Sequence, residues 1–190
     1  MRRVIVYGCG RPDRRDDQVG LLAAEELAQA PPPDTEVRLS QAPGADLLTD
    51  LEGAGLLIVL DAAPAGPALP AGRVTRIDLA ETADRSEPVP DSTGRSGPRP
   101  VPAAAAPPGV SAHTLDVNTA LELGRRLGLL PPNVWLYVVG CSDFGYGREC
   151  SPPVALAIPR LVRQVREDIA QWEQRPEPAG ELASKPRCTS

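Results

Sequence analysis

Val4-Ile5-Val6-Tyr7 is an unbroken apolar run that stops at Gly8-Cys9-Gly10, and beyond it Val19, Leu22, Ala23 and Leu27 recur at helical spacing. The pattern predicts a buried strand, a sharp glycine turn and an amphipathic helix, together one βα unit. Pro31-Pro32-Pro33 punctuates its end, Thr35 to Leu39 reads as a second strand, and Ala45 to Leu51 as a short helix with Leu47, Leu48 and Leu51 on one side. Leu56 to Leu60 is continuously apolar, as in a strand buried on both faces of a parallel sheet, and ends at Asp61-Ala62-Ala63. Val74, Ile77 and Leu79 make Gly72 to Leu79 another strand, placed at an edge. From Thr82 to Gly109 no hydrophobic period survives among Pro, Ser, Arg and Ala, which predicts a mobile insertion.

Order returns with a helix over Leu115 to Leu127 and a strand over Val134 to Val139 that Gly140 closes. Val154, Ile158, Leu161, Val162, Val165 and Ile169, three and four apart, give the most amphipathic helix of the chain. Pro159 inside it marks either a kink or the helix start. After Trp172 the chain is polar and contains proline, a tail without order. The alternation of strands and helices predicts a single α/β domain over residues 1–172, a three-layer sandwich with a mostly parallel twisted sheet of about five strands, followed by a disordered tail over 173–190.

The 190 residues and 42% hydrophobic content suit one soluble domain with an ordinary core. A net charge of −5 with scattered Lys and Arg offers no basic face for nucleic acid. No apolar run approaches the roughly 20 residues that cross a bilayer, and Gly8 to Asp17 interrupts any signal-like start after Arg2 and Arg3. A cytoplasmic protein is expected. Cys9, Cys141, Cys150 and Cys188 form no C-x-x-C pair, so reduced thiols are the expectation, with a Cys141–Cys150 bridge as the oxidised alternative.

Asp16-Asp17 after the glycine turn give the first candidate chemistry. A dinucleotide site wants G-x-G-x-x-G and a phosphate-attracting loop, whereas Asp13 stands at the third glycine position and two more acids follow. One acid could cap the helix; a pair asks for more. Asp61 is a second acid at the carboxyl end of a strand, and the single histidine, His113, precedes a helix. Each has an ordinary structural reading: a turn bond for Asp61, a cap or surface place for His113. If the two acid-bearing strands are neighbours, Asp17, Asp61 and His113 converge on one crevice as a mixed oxygen and nitrogen set suited to a borderline divalent ion such as nickel, zinc, manganese or iron. Cys9 and Ser111 are the alternative nucleophiles, yet neither has a base of its own.

Gly8-Cys9-Gly10, Asp16-Asp17, Gly20, the strand ending in Asp61, Ser111 to His113, and Gly147 through Ser151-Pro152 with its following helix resemble, in order, the hydrogenase maturation endopeptidases. The resemblance covers most of residues 3 to 168. It implies a nickel-dependent cytoplasmic protease, monomeric, that removes the C-terminal extension of a nickel-iron hydrogenase large-subunit precursor. The nickel is presented by the substrate and contacted by Asp17, Asp61 and His113, with Asp16 as helix cap or supporting partner. Arg11 stands where the family commonly has Asn, Gln18 where it has Gly, and the segment from Asp61 to His113 is long for the family. These departures leave room for a non-catalytic assembly factor that holds a metal-loaded partner without cutting it. Nucleotide binding at the glycine turn is the third alternative.

Overall fold

The computed structural model describes residues 2–41, 44–49, 51–79 and 112–175, and of 45, 46 and 112–116 the backbone alone. The predicted insertion over Thr82 to Gly109 lies outside the described residues, as do residues 176–190 of the tail predicted over 173–190, whose first residue, Glu173, instead ends the last helix.

Strands β1 (Arg3–Cys9), β2 (Thr35–Ser40), β3 (Ala54–Pro64), β4 (Val74–Asp78) and β5 (Asn133–Cys141) form one sheet in the order β2-β1-β3-β5-β4. All neighbours are parallel except β4, which runs antiparallel to β5 at the edge. Helices α1 (Val19–Ala28), α2 (Ala112–Arg126), the single turn α3 (Pro152–Ala155) and α4 (Ile158–Glu173) cover its faces.

Strand alternation sorts the core into two layers. Val4, Val6, Leu56, Ile58, Leu60, Trp135 and Tyr137 pack against α1 and α4. Ile5, Tyr7, Leu57, Val59, Val134 and Leu136 pack against Val117, Ala120 and Leu121 of α2. The predicted three-layer α/β sandwich is therefore the observed one. Pro159 sits in the first turn of α4, where its missing N–H costs nothing, so the helix starts there instead of kinking. The helix expected over Ala45 to Leu51 is only one 3-10 turn, Ala45–Leu48.

Two strand ends differ from expectation. β3 runs through Asp61 to Pro64 because β5 continues alongside it, pairing Asp61 with Val138 and Pro64 with Cys141. Gly140 lies inside β5, and a Cβ there would come within 2.3 Å of the Pro70 carbonyl oxygen, so the glycine admits a crossing loop. Edge strand β4 is fastened by side chains. Trp135 Nε1 donates to Asp78 at 2.9 Å, and Arg76 lies over the Trp135 ring and pairs with Asp168 of α4, which also accepts from the Tyr137 hydroxyl.

Close approach explains the glycines. A Cβ on Gly20 would stand 2.2 Å from the Leu60 carbonyl oxygen and 2.4 Å from that of Cys9, seating the start of α1 directly on the ends of β1 and β3. Alanine ordinarily strengthens a helix interior by about 1 kcal/mol over glycine. Here Gly20→Ala meets backbone that cannot move aside, so an overpacking cost of about 3 kcal/mol or more is expected. A thermal melt checks it, and an unchanged or higher midpoint contradicts it.

Candidate active site

The chain leaves β1 toward β2 on one side and returns to β3 on the other, so the topological switch point lies between β1 and β3. In open α/β sheets that is where a crevice opens beyond the carboxyl ends of the strands. Asp17 follows β1 in the 3-10 turn Arg15–Gln18, and Asp61 lies in β3, one residue beyond the Gly8–Leu60 pair. The two acids thus lie on neighbouring strands beside the position where such a crevice opens. Both are buried.

Asp61 shares strand parity with Leu57 and Val59, which places it on the α2 face, and its Oδ1 accepts the Ala62 N–H at 2.9 Å. α2 leads into the start of β5, so its first turn, with the backbone of His113, lies toward the carboxyl edge of the sheet on that same face. The side chain of His113 lies outside the described residues. Among the described side chains no three His, Cys, Asp or Glu gather closely enough for a metal site. Asp17 and Asp61 could offer two hard oxygen donors to a cation, and an imidazole would match them chemically.

Asp16 does something different from its neighbour. It caps neither the 3-10 turn nor α1, both of which lack a side-chain cap. Its fully buried carboxylate instead accepts four bonds from the far loop: Ser142 N at 3.2 Å, Asp143 N at 3.0 Å, Ser151 N at 2.6 Å and Ser151 Oγ at 2.9 Å. More bonds join the same two segments. Asp16 N donates to the Asp143 carbonyl, Arg15 N to that of Gly147, and Gly147 N to that of Asp13. Gln18, at the position where family resemblance expected glycine, is buried and donates to the Arg148 carbonyl at 2.6 Å. Residues 142–151 and 13–18 therefore form one wall of the crevice. Ser151 and Gln18 were not singled out as site residues from the sequence. Their only sequence signal is a serine directly before Pro152-Pro153 and a polar residue entering an apolar helix.

The glycine turn packs closely against the start of α1. A Cβ on Gly10 would fall 2.0 Å from the Asp17 carbonyl oxygen, and one on Gly8 2.4 Å from both Gly20 O and Ala24 Cβ. These positions are filled by the chain's own backbone and helix.

Three thiols among the described residues are unbridged. Cys141 is buried beneath the wall, its Sγ near the Val139 and Asp16 carbonyls. Burial pushes its thiol up strongly, and the charges of Asp16, Asp17 and Asp61 push it further. Cys150 donates to the Arg15 carbonyl at 3.5 Å, and burial followed by the Asp16 charge raises its thiol to about 11. A thiol raised in the folded state favours folding below its unfolded pKa, and that contribution fades as pH climbs from there through about 11. Alkylation of Cys150 is expected to be slow at pH 7.5 and to accelerate steeply between pH 9 and 11; mass spectrometry of iodoacetamide-treated protein reads it. Rapid labelling at neutral pH contradicts it.

No family model matches the chain, and none of the curated proteins matches it. Solved structures do. The hydrogenase maturating endopeptidase HybD from E. coli is 22% identical, with 90% of this chain and 93% of that chain covered at a TM-score of 0.66. The [NiFe] hydrogenase maturation protease HybD from Thermococcus kodakarensis is 19% identical, covering 88% and 99% at a TM-score of 0.61. The hydrogenase 2 maturation peptidase from Thaumarchaeota archaeon SCGC_AB-539-E09 is 23% identical, covering 89% and 99%, also at 0.61. Nearly the whole of the chain thus has the fold of the hydrogenase maturation endopeptidases.

Proposed function

We propose that this protein is a hydrogenase maturation endopeptidase that removes the C-terminal extension of a nickel-iron hydrogenase large-subunit precursor. The observation that carries the reading is the burial of Asp17 and Asp61 on either side of the switch point, in a fold shared along most of its length with proteins named for that activity. Nickel enters in this reading as part of the substrate, already seated in the precursor. Such an ion, met by carboxylate and imidazole donors, polarises a peptide carbonyl or acidifies water.

The chain's own residues do the rest. Asp17 and Asp61 place their carboxylates beside the switch point, and His113 supplies the nitrogen donor from the first turn of α2. Asp16 and Gln18 keep the 142–151 wall in place beside them. A covalent route through Cys141 is disfavoured because its thiol stays protonated near neutral pH. The protein works where hydrogenase precursors are made, in the cytoplasm, and as a monomer.

Intact-mass measurement of nickel-loaded and nickel-free precursor after incubation with the protein tests the reading. Loss of a C-terminal peptide from the loaded form alone is the expected result. A stable complex whose partner keeps its mass would assign the crevice to a non-catalytic assembly factor.

A further inference from the structure

Tyr146 is the most exposed large hydrophobic residue of the described chain, 82% open to solvent, yet it is held at the tip of the most tightly bonded loop. Its carbonyl accepts from Arg15 Nε at 3.2 Å, its neighbour Gly147 pairs with Asp13 and Arg15, and Asp16 fastens both loop ends. The Arg14 guanidinium lies 4.7 Å from the Tyr146 ring centroid. Stacking occupies the face of a guanidinium and leaves its N–H edge available. Among the described residues that edge has no acidic partner, whereas Arg15 is paired with Asp143 and Arg148 with Asp13. With Arg15 and Arg148 each paired, Arg14 is the stacked cation of this rim whose charge is left for a partner.

We infer that the Arg14–Tyr146 stack is the docking anchor for the precursor and takes a carboxylate-bearing segment of it beside the crevice. This rests on the reading given above and adds the contact that selects the partner. An aromatic ring on a rigid loop loses little entropy on binding, and a guanidinium fixed in plane meets a carboxylate in the fork geometry it favours. Residues of these types, already organised in the free protein, carry most of the affinity of an interface.

The test is the Kd of the uncleaved precursor for the full-length wild type, Tyr146→Ala, Arg14→Ala and the double variant, over a range of salt concentration. Each single variant is expected to bind about tenfold more weakly, the double variant little worse than either single because the two act as one unit. Arg14→Ala is also expected to flatten the salt dependence seen with the wild type. Peptides of the precursor's C-terminal segment with a free or amidated end distinguish a terminal carboxylate from a side-chain one. Wild-type affinity in both single variants overturns this inference and leaves the proposed activity standing. A wild type that neither binds nor cuts the precursor overturns both.

Discussion

Asp16→Ala is expected to be the most destabilising single change at the crevice, lowering stability by about 3–5 kcal/mol, the range for removing one partner of a buried charged network. One carboxylate satisfies three backbone N–H groups and one hydroxyl, on a loop 126 to 135 residues away in sequence. Alanine leaves all four donors facing a void, and unmet donors cost more than the bonds themselves contribute. Asp16→Asn is not a mild control. Its amide nitrogen would bring two further donors into a ring that already consists of donors, so asparagine too is expected to loosen the loop. At roughly 2–4 °C per kcal/mol for a chain of this size, the midpoint of Asp16→Ala should fall by about 10 °C. Amide exchange at Ser142, Asp143 and Ser151 should accelerate well beyond that of the central strands, because the loop opens before the sheet does. Unchanged protection at these three amides would remove the clamp from the account of the site.

The contrast between Asp16 and Asp17 shows what the sequence can and cannot disclose. Adjacent acids after a glycine turn announce that the turn is unusual, but the type of residue is the same in both positions. Their roles separate only when the partners of Asp16 arrive from the loop between β5 and α3, which no local pattern records. Continuous apolar runs such as Leu56 to Leu60 were legible because burial on both faces leaves no polar position. Their ends were not. A charge at Asp61 and a glycine at Gly140 look like terminators, whereas each lies inside a strand whose neighbour continues. The antiparallel course of β4 was equally hidden, since orientation depends on the connection and not on the strand. The conditional step, that the acid-bearing strands are neighbours, is met by the pairing of β1 with β3.

Asp17→Ala, Asp61→Ala and His113→Ala are each expected to abolish precursor processing while leaving the protein folded. The two aspartates differ from Asp16 in what their charge does. Asp16 is held by four donors of the 142–151 loop, whereas Asp17 and Asp61 lie buried beside the switch point on neighbouring strands. Buried carboxylates beside a switch point suit a site that receives a cation. The four-donor clamp of Asp16 stays intact in the Asp17 and Asp61 variants, so their melting midpoints should stay within about 5 °C of wild type, a shift of roughly 1–2 kcal/mol. Asp61→Asn sharpens the comparison: it keeps an oxygen for the Ala62 N–H, removes the charge and puts an amide NH2 in place of the second oxygen. If the charge is what the site requires, Asp61→Asn is as inactive as the alanine variant, with its fold intact. Cleavage at the wild-type rate by Asp61→Asn, read by intact mass on the nickel-loaded precursor, would mean that the carboxylate serves the turn after it and that hydrolysis is organised elsewhere. Stability and cleavage are therefore expected to separate along the chain within a single dipeptide: position 16 governs the first, position 17 the second.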